Sequence, residues 1–234
     1  MIDTAALREK VLDLAIRGKL VPQDPNDEPA SVLLERIRAQ KLQMVKEGKL
    51  KAKDIKDDTI IFKGDDNCHY EKFADGTIKN IQDEIPFELP DGWAWARITS
   101  ISIVNPRNNI SDDLNVSFVP MPLIEEGYKN QHSFETRKWG HVKSGFTHFV
   151  EGDIAVAKIT PCFENKKSVI FNNLTNSCGA GTTELHIVRT LDNTINPNYI
   201  LWNFKRDDFI SDGVKAFSGA VGQKRIGKDF IANY

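Results

Sequence analysis

The sequence predicts a mixed α/β protein, an N-terminal pair of helices followed by a β-rich domain with one main helix. Three observations carry that expectation. Two stretches near the N-terminus place apolar residues at helical spacing. An Asp75-Gly76 pair stands between two runs of β-formers, the pattern of a hairpin turn. Beyond Trp93 the apolar residues come in short runs bounded by Gly, Asn, Pro and Ser, the punctuation of strands.

The elements follow in order. Residues 4 to 17 read as a helix, with Leu7, Val11, Leu14 and Ala15 on one stripe and Gly18 where a C-terminal cap belongs. The three prolines of "VPQDPNDEPAS" interrupt helix, and a second one runs from about Pro29 to Glu47 with Leu33, Leu34, Ile37, Met44 and Val45 as an incomplete stripe. Two helices of this size bury little apolar surface alone. They either pack on the body of the chain or offer a docking surface to a partner, and the pattern does not decide between these. "KLKAKDIKDD" has the mixed charge of a linker, and "YEKFADGTIKNI" is the hairpin. This divides the chain into a helical segment (1–55), a linker with hairpin (56–92) and a β-rich domain (93–234). In that domain "VSFVPMPLI", "GDIAVAKI", "SVIF" and "ELHIV" are strands. "NPNYILWNFKRDDFISDG" is the main helix, capped by Asn196 and burying Ile200, Leu201, Phe204, Phe209 and Ile210.

Composition narrows the function. With 234 residues, 40% hydrophobic and 27% charged, the chain has material for an ordinary core. A formal net charge of -2 means that any nucleic-acid contact must come from local patches. The three cysteines, Cys68, Cys162 and Cys178, are scattered and odd in number, as in a reducing cytoplasm. No stretch has the length and apolarity of a membrane span, and the charged N-terminus is not a signal peptide.

Catalytic patterns are weak. "NPNY" at Asn196 to Tyr199 is similar to the Asn-Pro-Pro-Tyr loop of adenine methyltransferases, but Asn198 replaces the second proline and a helix begins at once. No glycine-rich turn is present to bind a methyl donor. The five histidines make no i, i+4 pair and there is no Cys-x-x-Cys, so no metal set is spelled out. Cys162 follows a Thr-Pro turn and has no histidine nearby in sequence, so it reads as a small half-buried residue rather than a nucleophile.

Lysines and amides offer more. Lys158, Lys166 and Lys167 flank the "TPCFEN" turn as a possible basic ledge. "SGAVGQKRIGK" holds Gln223, Lys224 and Arg225 among glycines with no acid, a composition suited to phosphate oxygens. Segment 127–144 adds Asn130, Gln131, Arg137, Lys138 and Lys143, side chains able to read base edges in a major groove. Arg107 and Asn108 of "NPRN" join them. Each patch alone is also what a solvated face looks like. Three of them without a catalytic constellation favour binding over chemistry.

"LAIRGKLVPQDPNDEPASVLLERI", "YEKFADGTIKNIQDEIPFELPDGWAWARI", "GDIAVAKITPCFENKK" and "SGAVGQKRIGKDF" together resemble the specificity subunit of type I restriction–modification enzymes. The resemblance runs through almost the whole chain and fails between Asn105 and Gly145, as expected of a segment that reads a particular target. It implies a subunit without catalytic activity or cofactor of its own. Residues 93 to 234 would be a target recognition domain reading one half of a split sequence in double-stranded DNA. The helices would meet methyltransferase subunits, which use S-adenosylmethionine, and ATP-driven motor-nuclease subunits would join for cleavage. The family continues past "DFIANY" into a spacer helix and a second recognition domain, so the chain reads as an N-terminal fragment rather than a half-subunit. A scaffold that recruits a partner without touching DNA is the alternative.

Overall fold

The Asp3 carboxylate accepts the backbone N–H groups of Ala5 and Ala6, both at 3.1 Å, and so starts α1 (Thr4–Ile16). The computed structural model describes residues 3–220 and 223–234. Gly18, at φ +65°, ends the helix as its position predicts. Leu7 and Val11 of the expected stripe remain 55% and 42% exposed, so only the last turn, at Ile16, is buried. In α2 (Ala30–Lys46) the buried residues are Ile37 and Lys41. The Lys41 ammonium lies 2.5 Å from Asp58 and donates to the carbonyls of Thr99 (2.6 Å) and Ser102 (3.2 Å). A buried cation is tolerated there because all of its protons find oxygen.

The hairpin forms as its turn chemistry dictates. β1 (Ile60–Lys63), β2 (His69–Lys72) and β3 (Ile78–Asn80) make an antiparallel sheet in that order. Phe73 and Gly76 close the Asp75-Gly76 turn by backbone hydrogen bonds. Arg97 ties the sheet down with two bonds to Glu71 (3.1 and 2.7 Å) and one to Glu84 (2.6 Å). A short α3 (Ile98–Ile101) follows. The chain through Ser102, with Leu191–Thr194 and Asn233–Tyr234, is one compact unit.

Ile103–Thr190 and Ile195–Ala232 form a second unit. Its elements are β4 (Ser102–Val104), β5 (Asn115–Val119), β6 (Glu135–Lys138), α4 (Trp139–Val142), β7 (Thr147–Val150), β8 (Ile154–Ala157), β9 (Ser168–Ile170), β10 (Cys178–Gly181), β11 (Leu185–Thr190), α5 (Pro197–Phe204), α6 (Asp207–Lys215) and α7 (Lys228–Ala232). They build two four-stranded sheets, ordered β6-β5-β10-β7 and β4-β11-β8-β9; β5 and β10 run parallel, while β5–β6, β7–β10, β8–β9 and β8–β11 pair antiparallel. The core joins both sheets through Val119, Phe149, Ala155, Val169, Phe171 and Ile187.

Strands β8, β9 and β11 lie where the apolar runs predict them. Strand β10, Cys-Gly-Ala-Gly, shows no β-propensity because its glycines answer a packing need. A Cβ on Gly179 would stand 2.4 Å from both the Phe149 ring and the Ser117 carbonyl. The main helix also differs from expectation. It is two helices, because Lys205 caps α5 and Arg206 takes extended backbone before α6. Lys205 is fully buried, and its ammonium donates to the carbonyls of Gly127 (2.7 Å) and Lys166 (3.1 Å). The break coincides with this buried lysine, a feature invisible in the periodicity.

Candidate nucleic-acid interface

The candidate DNA-contacting residues gather in two places within the second unit. The first is the outer strand β6 with α4 and the loop 105–114. Strand β6 pairs with β5 along one side only, from Asn115 opposite Lys138 to Phe118 opposite Glu135, and all four of its residues are exposed. Arg137 lays its guanidinium 3.8 Å above the Phe118 ring and bonds Glu135 at 2.6 Å. Lys138 faces Asp113 at 3.7 Å and Lys143 reaches Asp112 at 2.6 Å.

Loop 105–114 is held at its root. The carboxamide of Asn108 donates to the Phe149 carbonyl (2.8 Å) and accepts from Arg189 (3.1 Å), which grips the buried Asp153 through two bonds of 2.8 and 2.7 Å. Arg107 is exposed and donates to the Phe146 carbonyl at 3.1 Å.

The second place gathers four stretches: the turn 158–167, the loop 125–131, residues 182–184 and the loop from Ser218 onward. Val221 and Gly222 of that last loop lie outside the described residues. Backbone bonds stitch them together: Thr160 N–H to the Lys224 carbonyl (3.2 Å), Ile226 to Lys158 (2.9 Å), Lys158 to Glu184 (3.0 Å) and Gly127 to Asn165 (2.8 Å). The basic ledge is partly turned inward. Lys166 is only 13% exposed, pairs with Asp207, and donates to the Tyr128 hydroxyl at 2.6 Å. Lys158 and Lys167 are half-buried, and Lys167 lies 3.4 Å from the Met121 carbonyl. Arg225 forks onto Glu184 with two bonds of 2.8 Å. Asn130 accepts the Ile170 N–H at 2.8 Å, which pins the loop, whereas Gln131, Gln223 and Lys224 are exposed.

No family model matches the chain. It is 48% identical over 228 residues to the specificity subunit of the type I restriction enzyme EcoAI of Escherichia coli, covering 97% of this chain and 35% of that protein. Along almost its whole length the chain is thus similar to a part of a type I restriction enzyme specificity subunit. The EcoEI specificity subunit of the same organism is 47% identical over 229 residues, with the same coverage. The chain thus spans about a third of the length of the curated relatives it matches. The HsdS subunit from Thermoanaerobacter tengcongensis aligns with a TM-score of 0.49 and 18% identity, over 64% of this chain and 38% of that one.

Sequence reasoning passed over three histidines that anchor loops. His148 Nδ1 accepts the Asn108 N–H (3.2 Å), so its proton resides on Nε2, facing the Lys143 carbonyl (2.9 Å). It thereby ties loop 105–114 to the end of α4. His186 faces the Ile226 carbonyl through Nε2 (3.1 Å) and the Asn105 carboxamide through Nδ1 (3.2 Å), joining the roots of two loops. His132 Nε2 accepts the Asn172 N–H at 3.1 Å beside Gln131. Burial is the first cause that pushes all three imidazoles below their ordinary value, so they work as neutral rings. Strand β7 buries both His148 and its neighbour Phe149, so no alternation singles the histidine out, and its partners are 5 and 40 residues away. The three cysteines are free, and no group of three potential metal ligands occurs among the described residues.

Proposed function

We propose that this chain reads one half of a split sequence in double-stranded DNA and, without catalysing a reaction itself, directs adenine methylation or cleavage by partner subunits. The observation that carries the proposal is the 48% identity, over 97% of the chain, to a protein named as a type I restriction enzyme specificity subunit. Its partners are then methyltransferase subunits, which bring S-adenosylmethionine, and motor-nuclease subunits, which bring ATP, in the cytoplasm. No described helix is long and apolar enough to cross a membrane.

The surface chemistry supports a reading role. Gln131 and Arg137 are exposed and chemically matched to adenine and guanine edges. Lys138, Lys143, Lys158, Lys167, Gln223, Lys224 and Arg225 suit the phosphate backbone, while Arg107, Asn108, Asn130 and Lys166 shape the loops that carry them. With one recognition unit and near-neutral charge, the isolated chain binds DNA weakly and with steep salt dependence, in the range of ~10⁻⁴ to 10⁻⁶ M.

The test compares the adenine methylome of the source cell with the gene intact and deleted. Loss of methylation at one split motif is the expected result. Unchanged methylation, together with no duplex binding by the purified chain, would overturn the reading. Exchanging Gln131 or Arg137 then shifts the preferred sequence, whereas an equal loss on all sequences would reduce these residues to backbone contacts.

A further inference from the structure

Two of the interface ion pairs join a cation to a carboxylate brought from a distant part of the chain, and both carboxylates are held by backbone as well as by the pair. Asp112 meets Lys143 at 2.6 Å, 31 residues away, while its own carbonyl accepts the Gly140 N–H at 2.9 Å. Glu184 receives the Arg225 fork at 2.8 Å on each oxygen, 41 residues away, while its carbonyl accepts the Lys158 N–H at 3.0 Å. The Arg225 bonds hold the Glu184 carboxyl below its ordinary value, so it is ionised at neutral pH. A guanidinium fork on two carboxylate oxygens has the geometry with which arginine takes a phosphate.

We propose that Asp112 and Glu184 are phosphate stand-ins, which hold Lys143 and Arg225 in DNA-contacting poses and lower the chain's affinity for DNA of any sequence. The inference rests on the DNA-reading function above and adds a device that limits it.

A lysine or arginine free in solution must lose rotamer freedom when it meets a phosphate, and a cation already pinned to a carboxylate has lost it beforehand. The pair itself is cheap to break, because exposed ion pairs contribute little net stability. Once a phosphate takes the cation, however, the displaced carboxylate remains tethered close to an anionic backbone and repels it. Non-specific contacts, which consist almost wholly of phosphate neutralisation, bear this penalty with nothing to offset it. Base-edge contacts from Gln131 or Arg137 do not pass through these acids. A chain of net charge -2 that must search a large excess of wrong sequence is served by such restraint.

The experiment measures binding of the 234-residue chain to a random-sequence duplex by fluorescence anisotropy across a salt series. Variants are Asp112→Asn, Glu184→Gln and their double, beside Lys143→Ala and Arg225→Ala. Each amide variant is expected to steepen the slope of log affinity against log salt by about 0.9, which is roughly a threefold to fourfold difference between about 50 and about 200 mM salt. Their low-salt affinity rises accordingly, and the double variant adds the two effects. If the alanine variants weaken binding while the amide variants match wild type in affinity and slope, the stand-in role is wrong and DNA reading survives. If alanine and amide variants alike leave binding unchanged, this surface does not face DNA and both readings fall. Thermal melts check folding; should Glu184→Gln unfold, the exposed Asp112→Asn decides alone.

Discussion

Replacing Lys205 with methionine separates two opposed consequences of burying an ammonium. Lys205 is fully buried, its charge is met among the described residues by the Gly127 and Lys166 carbonyls at 2.7 and 3.1 Å, and the Lys166 ammonium beyond is turned toward Asp207 and Tyr128. Burial, with a smaller contribution from Lys166, pushes it down to about 8 from an ordinary 10.5. The difference corresponds to about 3 kcal/mol of stability forgone while the side chain is charged. Between those two values the unfolded chain keeps the proton and the folded chain has released it, so this residue makes stability rise with pH across that window and adds nothing to the slope below it. Methionine removes the desolvation term but leaves two buried carbonyls without this donor, at about 1 to 3 kcal/mol each. Urea denaturation at pH 7 is therefore expected to show wild type and Lys205→Met within about 3 kcal/mol of each other. At pH 10 the wild type should have gained about 2.5 kcal/mol on the variant. Titrations common to both proteins cancel in the difference. Parallel curves from pH 7 to 10 would refute the reasoning and place the Lys205 ammonium in contact with water.

Three further outcomes follow from the packing. Gly213→Ala should destabilise by about 1 to 3 kcal/mol in thermal melts, despite the roughly 1 kcal/mol helix preference for alanine. The new Cβ would lie 2.3 Å from Phe163, itself wedged among Phe209, Phe217 and Phe230; an unchanged or raised melting temperature would mean that the cluster yields. Asp153→Ala strips the buried carboxylate that Arg189 grips and should cost about 3 kcal/mol or more, with hydrogen exchange quickening around Asn108 because Arg189 also holds its carboxamide. Exchange quickening everywhere except loop 105–114 would break that link. Acid should loosen the same loop. The folded His148 imidazole lies below its ordinary 6.5, first through burial and then through Arg107 and Arg189, so the unfolded chain protonates earlier and stability is lost as pH falls from 6.5. His148→Gln should flatten the decline between pH 7 and 5, and an identical decline in both proteins would exonerate His148.

Much of the framework was legible because its causes are local. Thr4–Ile16 and Ala30–Lys46 follow apolar spacing and their stop signals, and the β2–β3 turn follows from Asp75-Gly76. Asn196 caps α5 through its own carboxamide, which accepts the Asn198 N–H at 3.0 Å. Other elements have causes elsewhere in the chain. Strand β10 carries glycine at 179 because Phe149 and Ser117 leave no space for a side chain there, and the break between α5 and α6 coincides with a lysine that finds carbonyls 78 and 39 residues away. The exposed strand β6 carries no apolar alternation at all, so Glu-Thr-Arg-Lys reads as loop until β5 supplies its hydrogen bonds.

The candidate site divides along the same line. Residue chemistry by itself determined the likeness to specificity subunits and the polar, basic segments at 127–144, 158–167 and 218–228, because it is written one position at a time. Only the tertiary structure decided which of those side chains are available. It turned Lys166 inward to Asp207, set Asn108 and Asn130 to hold loops, and placed Asp112 and Glu184 against Lys143 and Arg225. Whether a cation is free or paired depends on oxygens that arrive from tens of residues away, and folding alone sets those distances.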